Sequence, residues 1–436
     1  MILINHGMNR VALILAVTSF TSCGTGDSIV AWTGTKQLGV KGAATYGISV
    51  AVGTNGDVYV AGTTTGGLDG NTLSGVEDSF VTKYDRFGIK QYTKLLGTNG
   101  AHTTGKSVAT DAHGNVFVTG DTTGIFHENS IAKASDFFVA KYDSAGATQY
   151  INQFEVIGND INNTTAATTS NVGEVYVAWS AFNGDTKISD LFVEKYNNEG
   201  VKWHTKQLGA AQSAIHTRSV VEDQNGNVYI TGDTWGGLDG NARIGLIDCF
   251  IAKYDNEGVK QYSMLLGIGQ QFETFCESIA TDKFGNVYVT GYTNGGLDGN
   301  IATRSYDFFL VKYDSTGSKQ FTKQLGARWG TTFGDSVAVD LTGNIYVVGS
   351  TTGGLDGNTL TGTMDFFITK FDNSGVKQFT KQYGVAGSVT GATSVAIDLN
   401  GNIFVAGVTQ GGLDGNTVAG IRDFFVTKFD SDGVKQ

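Results

Sequence analysis

Proline is absent from the 436 residues of this chain, cysteine occurs three times, and only 16% of the residues are charged. Without proline, the turns depend on Gly, Asn, Asp and Ser. The 62 glycines follow no G-X-Y period, which excludes collagen. The low charged fraction excludes a self-repelling disordered chain. The sequence therefore predicts a folded protein with many tight turns.

Several kinds of functional site are also missing. The 30 basic and 41 acidic residues give a net charge of -11, and no Lys/Arg cluster is present. Nucleic acid is therefore not an expected partner, because phosphate neutralisation needs a basic face. The six histidines form no HExxH or HxH pattern, which argues against a zinc site. Neither a GxSxG elbow nor a Walker loop occurs.

The N-terminal segment has the pattern of an export signal. An apolar run from Val11 to Phe20 follows Arg10. It is too short to span a bilayer but fits the central region of a signal peptide. Small residues then lead into Cys23, which resembles the lipobox of bacterial lipoproteins, although Phe20 and Ser22 depart from its usual residues.

This resemblance implies a lipoprotein signal over residues 1–22, a lipidated Cys23, and a tether over 23–30. It places the protein at the cell envelope, anchored to a membrane that we take to be the outer membrane. Ordinary cleavage near Ser22 is the alternative. Whether translation starts at Met1 or Met8 is open.

One unit recurs seven times. Its most regular segment resembles DFFVTKYD and begins at spacings of 58, 54, 58, 59, 58 and 58 residues. The starts are Asp78, Asp136, Asp190, Asp248, Asp307, Asp365 and Asp423. Such a period indicates one supersecondary unit per repeat.

Each unit reads as four strands, because alternating β-branched and aromatic residues are bracketed by Asp- and Gly-containing turns. In the fifth unit the predicted strands are Glu277–Asp282, Asn286–Thr293, Asp307–Tyr313 and Lys319–Leu325. Seven such units predict an all-β, seven-bladed propeller of four-stranded antiparallel blades over residues 31–436.

The chain ends where the last unit should begin its fourth strand. The N-terminal stretch Trp32–Gly39, WTGTKQLG, matches the fourth-strand endings HTKQLG and FTKQLG. The N-terminal strand is therefore predicted to close the ring.

The patterns GNVYVxGxT, GGLDGN and DFFVxKYDxxGxKQxTKQLG resemble the seven-bladed β-propeller repeat (SBBP) family, and most of all spirochaetal lipoproteins built from it. The resemblance covers residues 31–436 and implies the fold, but it does not imply a specific activity.

The motif GGLDGN, between the second and third strands, is expected on the top face of the propeller together with the connections between blades. It gives five acidic positions: Asp69, Asp239, Asp298, Asp356 and Asp414. Calcium is one interpretation, since it binds carboxylates and carbonyls of Gly-rich loops. One carboxylate per loop is few, so an Asx-type turn without any cofactor is favoured.

Blades 2 and 3 depart from this motif, and departures from a repeat are candidates for ligand recognition. The candidate residues are Phe126, His127, Glu128, Trp179, Phe182 and Asp185. Neutral variation of a loop, or a core role for the tryptophan, is the alternative.

Cys249 and Cys276 are interpreted as buried thiols, with a disulfide between them as the alternative. The sequence contains no catalytic constellation. It favours a monomeric, lipid-anchored module that binds a protein or glycan at the envelope. The alternative is a lyase or hydrolase with a site in the central top-face funnel.

Overall fold

The described strands form seven four-stranded sheets, each containing only antiparallel neighbours. The structure is a computed structural model that describes residues 31–126, 136–154, 166–170, 173–183, 188–209, 214–303 and 305–436. One compact unit runs from Trp32 to Gln436. The predicted all-β, seven-bladed propeller is confirmed. In the described part of the chain, no helix has the length and apolar character of a membrane span.

The strands follow the repeat, with one short N-terminal strand, β1 (Lys36–Leu38). Blade 1 contains β2 (Thr45–Val52), β3 (Val58–Thr64), β4 (Asp78–Tyr84) and β5 (Lys90–Leu96). Blade 2 contains β6 (Thr103–Thr110), β7 (Val116–Thr122), β8 (Asp136–Tyr142) and β9 (Thr148–Phe154). Blade 3 contains β10 (Ala166–Thr169), β11 (Val175–Asn183), β12 (Ile188–Tyr196) and β13 (Lys202–Gly209). Blade 4 contains β14 (Ile215–Glu222), β15 (Val228–Thr234), β16 (Asp248–Tyr254) and β17 (Lys260–Leu266).

Blade 5 contains β18 (Thr274–Thr281), β19 (Val287–Thr293), β20 (Asp307–Tyr313) and β21 (Lys319–Leu325). Blade 6 contains β22 (Thr332–Val339), β23 (Ile345–Thr351), β24 (Asp365–Phe371) and β25 (Lys377–Tyr383). Blade 7 contains β26 (Thr390–Ile397), β27 (Ile403–Thr409) and β28 (Asp423–Phe429), completed by β1. Short 3₁₀ turns span Leu68–Gly70, Leu297–Gly299 and Leu413–Gly415.

The hydrophobic core lies between neighbouring blades rather than within one blade. Phe308 of blade 5 stacks on Phe367 of blade 6, with ring centroids 5.1 Å apart. Phe80 of blade 1 stacks on Phe424 of blade 7 at the same distance. The second and third strands are buried on both faces because each blade is covered by two neighbours. The unit sequence is therefore apolar on both strand faces.

The first strand of each blade lines the central channel, and serines on these strands link the blades around it. The Ser394 hydroxyl accepts a hydrogen bond from Val50 N at 3.1 Å, and Ser278 accepts one from Val337 N at 3.2 Å. The bond from blade 7 to blade 1 is thus of the same kind as the bond from blade 5 to blade 6.

The N-terminal strand closes the ring, as predicted. Strand β1 pairs antiparallel with β28, with Lys36 opposite Val426. It is shorter than the predicted Trp32–Gly39, because Trp32 turns into the core, where it is 3% exposed and packs on Tyr84 and Phe404. Gly34 N donates a hydrogen bond to Gln436 O at 2.9 Å. Gly34 and Gln436 therefore meet at the outer edge of blade 7.

Each described inner strand except β10 contains a β-bulge next to the serine that recurs in these repeats. In blade 5 the pairing shifts between Cys276 and Ser278, which leaves Glu277 as the extra residue. The predicted start of this strand at Glu277 is therefore wrong. The strand begins at Thr274, and the bulge interrupts the alternation from which the sequence analysis located the strand. Gly291 lies opposite the bulge, where a Cβ atom would come within 1.8 Å of Phe275 O.

Cys249 and Cys276 form a disulfide, with Cα atoms 5.1 Å apart and both residues fully buried. The interpretation as two free thiols is wrong. The third strand of blade 4 packs against the first strand of blade 5, and this contact brings together two residues that are 27 positions apart. The disulfide covalently joins the two blades.

Candidate functional site

The bulge residues of the inner strands point into the central channel and differ from blade to blade. They line a cavity of about 140 Å³ on the propeller axis, together with the serines that follow five of them. In blade order they are Ile48, Lys106, Arg218, Glu277, Asp335 and Thr393, and the blade 3 equivalent lies outside the described residues. A symmetrical fold thus carries an asymmetrical channel.

Blades 4 to 6 contribute a connected set of charged groups. Arg218 Nε lies 2.9 Å from Asp233 Oδ2, and Arg218 Nη1 lies 3.8 Å from Glu277 Oε2. The second Asp233 oxygen accepts a hydrogen bond from Cys276 N at 2.9 Å. Asp335 accepts one from the Ser350 hydroxyl at 3.3 Å. Two carboxyl groups, those of Asp233 and Glu277, therefore flank the Arg218 guanidinium group, and Asp335 interacts with Glu277.

Burial is the main influence on the protonation of these carboxyl groups. It raises the pKa of Glu277 and of Asp233, and Arg218 opposes the rise in both cases. It raises the pKa of Asp335 well above its ordinary value, and the neighbouring Glu277 adds to this rise. The channel can thus hold protons on carboxyl groups at a pH where exposed carboxyl groups are ionised.

Half-buried aromatic rings border these charged groups toward the top face. The Tyr292 ring lies 4.9 Å from Phe275, 5.3 Å from Tyr306 and 4.8 Å from Phe333, measured between centroids. The Tyr292 hydroxyl also interacts with Glu277 and lowers the pKa of that carboxyl group, which joins the rings to the charged cavity. We call the cavity and these four rings the funnel.

The GGLDGN loops do not lie on the top face, where the sequence analysis placed them. In blade 5 the loop begins near the top, where Gln324 accepts a hydrogen bond from Leu297 N at 3.0 Å. It then runs down the outer strand, because Thr322 donates to Asp298 in the middle of that strand and Leu297 is fully buried between blades. The loop therefore covers the side of its blade.

Each of the five loop aspartates is paired with the lysine that lies 21 residues further along the chain. The pairs are Asp69–Lys90, Asp239–Lys260, Asp298–Lys319, Asp356–Lys377 and Asp414–Lys435. Burial would raise the pKa of Asp298, but hydrogen bonds from Lys319 and Thr322 lower it below its ordinary value. No group of three or more potential metal ligands occurs among the described residues. Calcium binding stays a prediction.

Phe126 and Trp179, the blade 2 and blade 3 candidates whose side chains the structure describes, are not among the residues that line the funnel cavity. Phe126 occupies the position of Leu297: its N–H donates to Gln153 at 2.9 Å, and its ring lies 5.6 Å from Phe138. Trp179 is 6% exposed and stacks on Phe192, with centroids 4.3 Å apart. Their role in ligand binding stays a prediction.

Several other candidates lie where the structure gives no side-chain information. Cys23, His127, Glu128 and Asp185 are outside the described residues, and only the backbone of Phe182 is described, within β11. In blade 3, β11 and β12 pair as far as Asn183 and Ile188, so a longer hairpin stands in place of the GGLDGN loop.

The sequence analysis missed Arg218, Glu277 and Asp335, although the sequence contains a signal for them. The inner strands read TYGISVAV, TTGKSVAT, IHTRSVVE, TFCESIAT, TFGDSVAV and TGATSVAI. In these six strands the residue before the shared serine changes from Ile to Lys, Arg, Glu, Asp and Thr, while its neighbours stay small or apolar; β10 of blade 3 carries Ala166 at the serine position. A variable charged position inside an otherwise uniform strand is a signal for a lining residue.

Two curated proteins are similar to parts of this chain. The chain is 25% identical over 250 residues to the regulatory protein FlaEY of Caulobacter vibrioides, covering 52% of this chain and 26% of that protein. It is 23% identical over 414 residues to an uncharacterized WD repeat-containing protein of Acanthamoeba polyphaga mimivirus, covering 78% of this chain and 27% of that protein. The chain thus spans about a quarter of the length of these curated relatives.

Two solved structures are similar to the chain at low sequence identity. The β-propeller domain of the Trilobed protease from Pyrococcus furiosus has a TM-score of 0.49 at 9% identity, covering 91% of this chain and 95% of that one. An α-L-arabinanase of Penicillium chrysogenum has a TM-score of 0.45 at 10% identity, covering 75% and 93%.

The family comparison is more specific. Six segments match the beta-propeller repeat (SBBP), at residues 34–69, 91–127, 204–239, 261–298, 320–356 and 378–414. Each match begins in an outer strand or just before it and ends in the loop between the second and third strands of the next blade. Since these matches together cover half of the sequence and fall in register with the blades, the chain belongs to the beta-propeller repeat family.

Proposed function

We propose that the chain is an exported, lipid-anchored propeller that binds a glycan in the funnel at blades 4 to 6. The observation that carries this proposal is the half-buried aromatic cluster around Tyr292, which is joined to charged groups in the channel. Binding sites for small ligands combine aromatic surfaces with a few fixed polar groups, and the funnel has both.

A glycan matches the two parts of the funnel. Sugar rings present apolar C–H faces that pack on aromatic rings, and hydroxyl groups that bond to carboxylates and guanidinium groups. The cavity of about 140 Å³ has room for only a few waters, each with about 30 Å³ of liquid volume. One polar group or part of one sugar would enter the cavity, and the remainder would lie on the rings.

Binding of the glycan is tested with the purified full chain on a glycan array, followed by titration calorimetry with the best ligand. The variants Phe333→Ala and Arg218→Gln should each weaken binding at least about tenfold, which corresponds to about 1.4 kcal/mol. Trp203→Ala is the matched control, because Trp203 is 66% exposed on an outer strand. Retained affinity in both funnel variants would reject the funnel as the site.

Export and anchoring are supported by the apolar run before Cys23 and by the buried Cys249–Cys276 disulfide. Structural disulfides are typical of oxidising compartments outside the cytosol. The expected location is the cell envelope, at the outer membrane, with the propeller as a monomer. Palmitate labelling that disappears in Cys23→Ser and processing blocked by globomycin would support the anchor. A mature chain that begins at another residue would contradict it.

A second candidate is hydrolysis of the bound ligand. The observation that favours it is the pair of neighbouring, partly buried carboxyl groups, Glu277 and Asp335, whose raised pKa suits acid–base roles. The same glycans are incubated with the full chain and analysed for cleavage. Turnover that is lost in Glu277→Gln and Asp335→Asn, with binding retained, would establish an enzyme. Unchanged glycans would leave binding as the function.

A further inference from the structure

The bottom face, opposite the funnel, carries a groove that neither the glycan site nor the anchor uses. A cavity of about 550 Å³ extends below blades 4 to 6, lined by the turns that connect their first and second strands. A second cavity of about 230 Å³ continues it below blades 6 and 7, and the two share Asp340, Leu341 and Thr342. The groove therefore crosses four neighbouring blades.

Three large apolar side chains stand exposed at the rim of this groove, at the tips of successive turns. Phe284 is 68% exposed, Leu341 is 56% exposed and Leu399 is 63% exposed. The turns themselves need only their Asp and Gly residues, since Asp282 Oδ1 accepts hydrogen bonds from Phe284 N and Asn286 N. The apolar side chains contribute little to the turn, which makes them available to a partner.

The groove is acidic beneath these apolar tips. Five carboxyl groups line the two cavities, those of Glu222, Asp223, Asp282, Asp340 and Asp398. Two lysines lie among them, and both ammonium groups are engaged by backbone carbonyls: Lys283 with Leu341 O at 3.3 Å and Lys370 with Ser431 O at 2.7 Å. The charge of the groove therefore favours a cationic occupant.

We propose that this groove binds a segment of a partner protein that combines lysine or arginine with apolar side chains. Apolar residues of the segment would pack on Phe284, Leu341 and Leu399, and its basic residues would face the carboxyl groups between the tips. A membrane surface fits less well, because the carboxyl groups repel anionic lipid headgroups. The site is separate from the funnel and does not depend on the function proposed for it.

The test uses the full chain and a fluorescein-labelled peptide of alternating lysine and leucine, with an alternating glutamate and leucine peptide as the charge control. Fluorescence anisotropy should show binding of the basic peptide only. Binding should weaken as salt increases, because ionic contacts are screened. Absence of binding of the basic peptide, or equal binding of both peptides, would overturn the proposal.

Two sets of variants locate the site. The triple variant Phe284→Ser, Leu341→Ser, Leu399→Ser should lose at least about tenfold in affinity, since buried apolar anchors dominate such contacts. The matched control is Val259→Ser with Val376→Ser, which are 54% and 57% exposed on outer turns of the same face. Its affinity should stay within about twofold of the parent. Equal losses in both sets would overturn the assignment.

A charge variant acts in the opposite direction. Lys283→Glu removes one of the two ammonium groups and should increase the affinity for the basic peptide, with circular dichroism confirming the fold. An unchanged affinity would contradict the electrostatic part of the proposal. Zwitterionic vesicles are tested in parallel. Vesicle binding that is lost in the triple variant, without peptide binding, would assign the face to a membrane and overturn the proposal.

Discussion

At the scale of single residues, Gln324 shows how one side chain fixes a whole loop. Its amide donates to Gly295 O and to Asp307 Oδ2, both at 3.0 Å, and accepts from Leu297 N. Gln324→Leu would leave the fully buried Asp307 with one partner fewer. We expect a loss of about 2 kcal/mol in the free energy of unfolding, measured with urea.

Two other blades already contain leucine at this position: Leu95 in blade 1 and Leu265 in blade 4 are equivalent to Gln324. The control is Gln320→Leu. The amide of Gln320 donates a hydrogen bond to Asp314 at 2.9 Å on the exposed surface. That change should cost less than about 0.5 kcal/mol. Equal effects of the two changes would show that the loop does not depend on the buried amide.

Glu222 makes the stability of the folded protein depend on pH. Burial raises the pKa of Glu222 to about 7, and the Tyr176 hydroxyl partly opposes the rise. Glu174 and Asp223 add nearby negative charge, and Lys195 adds positive charge. In the unfolded chain the pKa of a glutamate is about 4.3. Between these two values the folded protein keeps a proton that the unfolded chain has lost.

The resulting stability is fully present below the unfolded pKa and is lost as the pH rises through about 7. Glu222→Gln cannot ionise. We therefore expect the melting temperature of the parent to fall more steeply than that of the variant between about pH 5 and pH 8. Parallel pH curves, recorded by differential scanning calorimetry, would refute this role for Glu222.

At the scale of strands and loops, the sequence predicts what is encoded locally. Strands β20 and β21 have the predicted bounds. Both signals that define them, the turn at Asp314 to Gly317 and the alternating residues, lie within the hairpin that these two strands form. The descent of the GGLDGN loop depends on Thr322, which is 24 residues from Asp298. The charged cluster depends on bulges and on contacts between blades, as in the bond between Cys276 and Asp233, 43 residues apart. Contacts between residues of different repeats cannot be predicted from the sequence of one repeat.

The disulfide links two strands of neighbouring blades, β16 of blade 4 and β18 of blade 5. Replacing both cysteines by alanine should lower the free energy of unfolding by about 3 kcal/mol, as expected for a closed loop of moderate length. The measurement is urea unfolding of both proteins under oxidising conditions. With a reductant, the parent should become about as unstable as the variant. An unchanged parent that is shown by mass spectrometry to be reduced would contradict the expectation.

The aspartate–lysine pairs predict a weak response to calcium. A calcium ion at Asp298 or Asp356 would have to displace an ammonium group that already compensates the carboxylate. We expect the melting temperature to differ by less than about 2 °C between excess EDTA and millimolar calcium, since a tightly bound ion would add several kcal/mol. A shift of about ten degrees that is lost in Asp298→Asn with Asp356→Asn would establish calcium sites.

At the scale of the whole molecule, seven similar blades form a ring whose central channel is lined by different residues in different blades. Blades 4 to 6 carry Arg218, Glu277 and Asp335 at the bulge, whereas blades 7 and 1 carry Thr393 and Ile48 at the same position. The unit sequence maintains the fold through contacts between neighbours. The bulge position is therefore free to vary without loss of the ring, which is where ligand specificity can be encoded.

The ring closure by β1 predicts that the chain tolerates circular permutation. Since Gly34 N already contacts Gln436 O, the outer strand of blade 7 needs only one residue to become continuous. The other blades supply it, as in Lys319 to Gly326, where phenylalanine stands between KQ and TKQLG. A permuted chain that joins Gln436 through one phenylalanine to Thr35, and opens in the exposed turn between Ser315 and Thr316, should keep its melting temperature within about 5 °C of the parent.

Deletion of residues 32–39 makes the contrasting change, because it leaves β28 without its partner and exposes a sheet edge. It also removes Trp32 from the core between blades 7 and 1. We expect a fall of more than about 10 °C in melting temperature together with aggregation in light scattering, since an unpaired edge recruits other chains. The permuted chain also lacks Trp32 but keeps β1, so it separates the loss of strand pairing from the loss of Trp32. If it were as unstable as the deletion, the fall would come from the loss of Trp32 or from the changed chain order, and pairing by β1 would not be what holds the ring together.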